Sequence, residues 1–291
     1  MKEQIRAFIE SQVEAYVNNW NTRGNEKVMK KIESTQKRKA DIVKVRANTK
    51  ITNKTQDSDN TYIHYDVHMQ YLIKQKDTLY LEEQLEQHVA HFYKNKLYES
   101  REVDPAVIMM NQEDIEDEFP DQDEELRVSY RYNRLKAVQY AERWWNSYNP
   151  AYKKFDVDCT NFISQCLRAG EAPMRGYPNK SKGWWMQNNN WSYSWAVANS
   201  LKSYLSSSKI GLKAREVSSP TELSLGDVIC YDFQGDGRFD HNTIVTGKDA
   251  NGMPLVNAHT YNSRMRYWAY EDSSAYTPNI KYRFFVIVDH I

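Results

Sequence analysis

The strongest constraint on how this chain can fold is a break within it. Between Asn111 and Glu125 most residues are Asp or Glu, and Pro120 interrupts the run. Like charges repel, and too few apolar side chains are present to bury the stretch, so it reads as an exposed linker over residues 106–128. An acidic binding tail is the sharper reading of the same segment. Whatever lies on either side must build its own core, and 291 residues suffice for two domains of ordinary size. The expected organisation is an N-terminal domain over 1–105 and a C-terminal domain over 129–291.

On each side of the break the hydrophobic period changes from that of a helix to that of a strand. Ile5, Phe8, Ile9, Val13, Tyr16 and Val17 recur at helical spacing, and a second helix is predicted from Glu26 toward Arg38. Residues from Ile42 to Ile51 alternate, Asp57-Ser58-Asp59-Asn60 reads as a turn, and Thr61 to Ile73 alternates again. After Lys76-Asp77 a third run passes through His88, Ala90 and Phe92, and Lys94-Asn95 turns into a last strand ending near Val103. Two helices and an antiparallel meander make an α+β domain, with a curled sheet on a helix of cystatin-like or NTF2-like kind. His64, His68, His88 and His91 follow no short zinc-ligand spacing and fit a solvated strand face, so no metal is expected. No nucleophile–base pair is evident here, which suggests an accessory role.

The second half opens on a predicted helix with Leu135, Val138, Ala141 and Trp145 as its apolar stripe, ended by Asn146 to Pro150. Asp156-Val157-Asp158 then leads into Cys159-Thr160-Asn161-Phe162-Ile163-Ser164-Gln165-Cys166-Leu167-Arg168-Ala169-Gly170. Thr160 can cap a helix whose inner face is Phe162, Ile163, Cys166 and Leu167, with Gly170 ending it. Cys159 thus sits at or just before a helix N-terminus, where free amides and the helix dipole favour a thiolate. Cys166 and Cys230 are expected to be buried and inert, and 3 cysteines do not suggest a disulfide framework. The tryptophans concentrated in this half are either core or cleft wall. Another helix follows, about Ser194 to Leu205. Strands are predicted at 228–233, from His241 to Gly247, at 255–260, at 265–269 and at 281–288. Helices followed by an antiparallel sheet give a second α+β unit.

A cysteine hydrolase needs a thiolate, an imidazole within reach, a group to orient the imidazole, and donors for an oxyanion. Cys159 and His241 supply the first two. Asn257 and His259 are two residues apart on one strand face, and Asn257 is the better-placed orienter, with His259 as alternative. The Cys159 N–H is one oxyanion donor, and Tyr148 and Tyr152 are candidates for a second. Asp232, Gln234, Asp236, Gly237 and Asp240 mimic part of a calcium loop, but Thr243 stands where the bidentate carboxylate belongs. The loop therefore reads as a hairpin turn, and no cofactor is expected.

Tyr132-Asn133-Arg134, Ala137-Val138, Tyr140-Ala141, the Asp158 to Gln165 run, Asp240-His241 and Ala258-His259-Thr260 together resemble the putative amidase domain family of Gram-positive bacteria. That family is similar to the CHAP and NlpC/P60 branch of papain-like hydrolases. The resemblance spans roughly residues 130 to 290 and implies a papain-like C-terminal domain. It implies Cys159 as nucleophile, His241 as base, and Asn257 with His259 on the polar-residue strand. CHAP proteins tend to carry an acidic residue where Asn257 stands. The expected function is cysteine-dependent hydrolysis of an amide in a peptide, including a peptidoglycan-derived cell-wall peptide. The rivals are a binding module on a dead hydrolase fold and an acyl transfer by the same thiol. Formal net charge is zero, without the basic excess of a nucleic-acid protein, and no apolar run reaches membrane-span length. The charged, amphipathic opening residues lack a secretion signal's apolar core. As written, the sequence reads as cytoplasmic, or as secreted or wall-associated if a leader was removed.

Overall fold

The computed structural model describes residues 1–18, 25–104 and 130–288, and the acidic break and its proposed boundaries lie outside them. The fold mixes helices with largely antiparallel sheet and divides into two compact units. The first unit comprises 1–106 together with 261–265 and 269–274, two short segments that the sequence reading leaves in the C-terminal domain. Helices α1 (Lys2–Asn18) and α2 (Glu26–Lys37) precede strands β1 (Ala40–Asp57), β2 (Asn60–Gln75), β3 (Thr78–Tyr93) and β4 (Lys96–Glu102), paired antiparallel in that order.

Strand β2 shows why this sheet covers one core. Ile63, Tyr65, Val67, Met69, Tyr71 and Ile73 are buried while the residues between them are not, as a period of two requires. They pack with Ile5, Ile9 and Tyr16 of α1 and Val28 of α2. The C-terminal segments are tied in by charge. Lys31 Nζ bonds Glu82 and reaches Asp272 at 2.9 Å, and Arg264 meets Glu83 at 2.7 Å. Removing one partner of such a buried set strands the rest without compensation.

The second unit holds α3 (Arg134–Trp144), α4 (Cys159–Ala169), a short hairpin β5 (Met186–Gln187) and β6 (Asn190–Trp191), then α5 (Tyr193–Ala196) and α6 (Ala198–Ser207). The single helix expected at 194–205 is thus two, parted at Val197, whose backbone is extended. Strands β7 (Lys213–Val217), β8 (Val228–Asp232), β9 (His241–Lys248), β10 (Pro254–Ala258) and β12 (Lys281–Val288) follow, while β11 (Ser263–Tyr267) begins in the first unit's segment 261–265. Within this unit the sheet order is β10-β9-β8-β12-β7, each pair antiparallel.

Helix α4 is the centre. All residues from Cys159 to Leu167 are buried, polar ones included. The polar ones are satisfied internally, as burial demands. Asn161 Nδ2 donates to Lys153 O at 2.9 Å, Trp195 Nε1 donates to Asn161 Oδ1, and Ser164 Oγ donates to Trp195 O. Helix α3 approaches through Ala137, Ala141 and the adjoining Trp145, whereas Leu135, expected in the stripe, is 66% exposed. Gly170 is required for close approach and not for its backbone angle. Its φ is −73°, yet a Cβ there would lie 2.3 Å from the Tyr132 ring.

Candidate active site

Cys159 is the first residue of α4, and the cap position belongs to Asp158, not Thr160. Asp158 makes no side-chain cap bond because its carboxylate is taken elsewhere. Oδ1 accepts from Phe155 N (3.0 Å) and Asn161 Nδ2 (2.8 Å), and Oδ2 lies 2.7 Å from His259 Nδ1. The Thr160 hydroxyl accepts instead from Asn242 Nδ2 at 3.0 Å, which fixes the start of α4 to β9.

The sulfur lies against the backbone around His241. Cys159 Sγ is 3.9 Å from Asp240 O and 3.7 Å from Thr160 Oγ1. The thiol is 1% exposed. Burial pushes it up from the ordinary thiol value, against the opposing pull of the Thr160 hydroxyl and the Asn242 amide. The His241 ring is fully buried beside Tyr231 (centroids 5.6 Å apart) and Phe233 (6.1 Å). Burial, aided by the nearby Arg266 charge, pulls it down to about 3. Both directions favour a neutral thiol and a neutral imidazole in this closed state. Desolvation thus opposes both charges of a thiolate–imidazolium pair at this position.

The two candidate orienters sit elsewhere. Asn257 stands opposite Ile244, on the face that carries Thr246 and not on that of His241. Its Oδ1 accepts from Thr246 Oγ1 at 2.7 Å, and its Nδ2 donates to Glu142 Oε1 of α3 at 2.8 Å. His259 stacks on Phe162 with centroids 4.0 Å apart. Its Nδ1 meets Asp158 and its Nε2 donates to Trp144 O at 2.7 Å, so one nitrogen is committed to the turn that starts α4 and the other to the last residue of α3. Asn257 therefore holds α3 to the sheet, and His259 holds the turn before the cysteine.

Spacing along the sequence did not single out Thr260 or Arg266. Thr260 Oγ1 accepts from Asp158 N (3.1 Å) and Cys159 N (3.2 Å), so the expected oxyanion amide is occupied by a hydroxyl. Thr260 has φ +74°, a strained angle for a β-branched residue and one that concentrates at functional sites. Tyr148 packs edge-on to His259, and Tyr152 stacks on Trp195. The Asp232 to Asp240 loop closes on its own amides. The Asp232 carboxylate accepts from Gly235 N (2.6 Å), Asp236 N (3.3 Å) and Gly237 N (2.8 Å), as in a structural turn. Burial, with the Asp232 and Asp236 charges, raises Asp240 to about 6. Cys166 and Cys230 are buried, their thiols pushed up by desolvation.

In the first unit, Glu86, His88 and Glu102 lie close enough to share an ion, but Lys27 Nζ sits 2.6 Å from both glutamates. That ammonium already supplies the positive charge. No helix among the described residues is long and apolar enough to cross a membrane.

Residues 131–285 match the family described as Putative amidase domain. The chain is 52% identical over 272 residues to the uncharacterized protein YhbB of Bacillus subtilis (strain 168), covering 91% of this chain and 88% of that protein. It is 35% identical over 140 residues to the uncharacterized protein YjcM of the same organism, covering 45% of this chain and 31% of that one. No solved structure matches. A family match over more than half the chain, framing the Cys159 helix and the His241 strand, shows that the chain belongs to the putative amidase domain family.

Proposed function

We propose that the second unit is a cysteine-dependent amide hydrolase of papain-like type, related to CHAP and NlpC/P60 enzymes, acting on a peptide or cell-wall peptide. Family membership supports amide hydrolysis as the chemistry. The observation that carries the cysteine mechanism is the placement of Cys159 Sγ at a helix start, against the backbone flanking His241. In this reading His241 takes the Sγ proton as substrate enters. Sulfur attacks the amide carbonyl carbon, and the oxyanion replaces Thr260 Oγ1 on the Cys159 N–H. The C–N bond breaks, the leaving amine takes the proton from His241, and water then cleaves the thioester. Asn257 and His259 act at one remove, by holding α3 and the Asp158 turn.

One observation favours the rival reading of a non-catalytic module: the thiol is buried, and the described hydrogen bonds of Sγ run to Thr160 and Asp240. A peptidyl vinyl sulfone separates the two. Covalent labelling confined to Cys159, lost in C159S and strongly slowed in H241A, is the expected result. No labelling, or equal labelling of H241A, would leave the module reading standing.

A further inference from the structure

The chain has as many acidic as basic residues, yet from Ala172 to Arg215 there is no Asp or Glu, and none between Arg143 and Phe155. These two stretches meet beside the nucleophile turn. Lys153 Nζ lies 4.5 Å from the centroid of Trp191 and 5.7 Å from that of Phe155, and Lys180 Nζ lies 5.2 Å from Trp191. Phe155 and Trp191 meet edge to face at 4.8 Å. Both lysines are exposed and both rings half-buried. Among the described residues neither lysine forms an ion pair, and the exposed Asp156 pairs with neither.

The platform is joined to the chemistry by hydrogen bonds. Lys153 O accepts from Asn161 Nδ2 at 2.9 Å, and Phe155 N donates to Asp158 Oδ1 at 3.0 Å. Asn161 and Asp158 bracket Cys159 on the first turn of α4. Two ammonium groups are drawn to one indole, and among the described residues no carboxylate pairs with either. The ring faces stabilise each cation but do not neutralise it. An anion placed between them does.

We propose that Lys153, Lys180 and Trp191 form a subsite for a carboxylate of the substrate, so that the preferred amide lies in an acidic peptide. This rests on Cys159 being the nucleophile, because only then is the platform next to the scissile bond. The indole supplies an apolar floor, and the two ammonium groups fix the carboxylate by charge, a weakly directional arrangement that salt screens.

Binding to full-length C159S tests this without turnover, so that its failure is distinct from failure of the labelling experiment. Calorimetry should show N-acetyl-triglutamate binding about tenfold or more tighter than N-acetyl-triglutamine at low salt, with the gap closing as salt rises. In C159S carrying K153Q and K180Q the gap should vanish, while K153R should keep it. Exposed lysines tolerate these changes, and an unchanged melting midpoint verifies folding. Equal affinity for the two peptides overturns the proposal, as does a gap that survives K153Q/K180Q. Displacement of triglutamate by a single-stranded oligonucleotide of equal charge, at lower concentration, would also overturn it by naming a different polyanion.

Discussion

His241→Gln offers a direct measure of the protonation state on which the mechanism depends. The folded imidazole is pulled down to about 3, against an ordinary value near 6.5. A depressed value means the unfolded chain binds the proton more readily. The contribution of His241 to stability is therefore whole above about pH 6.5 and is lost as pH falls toward 3. Each unit is worth about 1.36 kcal/mol, so acidification from about pH 7 to about pH 5, through roughly one and a half units below the ordinary value, removes about 2 kcal/mol. Gln cannot titrate, and the other groups cancel between wild type and variant. The double difference of urea unfolding free energies at the two pH values should thus be about 2 kcal/mol, with wild type losing more. Tryptophan fluorescence is the appropriate probe, because every tryptophan except Trp20 lies in the second unit. A double difference near zero, or one in which acid favours wild type, would refute the buried neutral imidazole. The latter sign would show an imidazolium already held by a thiolate.

A raised thiol should react slowly, so Cys159 should alkylate with iodoacetamide at neutral pH well below the rate of a free thiol. Peptide mapping reads the rate, and rapid alkylation without substrate contradicts the closed resting state. Gly170→Ala drives a methyl into the Tyr132 ring and should cost about 1–3 kcal/mol in chemical unfolding; a neutral result would show that Tyr132 moves freely. His259→Ala should lower kcat more than it raises KM, since it frees the Asp158 turn without touching substrate, whereas Asn257→Ala should chiefly lower the melting midpoint through α3. A larger kcat loss in Asn257→Ala would return it to the role of orienter.

Much of the local architecture was legible without coordinates. The two helices and four strands before residue 105 follow a period of apolar residues that reports burial one element at a time, and β2 keeps it over its whole length. Cys159 at a helix start was legible for the same reason, since helical spacing begins just beyond it. Faces and partners were not. One step along a strand turns a side chain to the opposite face, so the position of Asn257 depends on the β9–β10 register and its shift near Val256. Asp158 gave up its capping bond to a histidine 101 residues away, and Thr260 met the Cys159 amide across the same separation. Leu135 fits the helical stripe yet faces solvent, because Ala137 and Ala141 allow the closer approach to α4. Periodicity records how buried a residue is, whereas the identity of its neighbour depends on chain closure over a hundred residues, which no local pattern encodes.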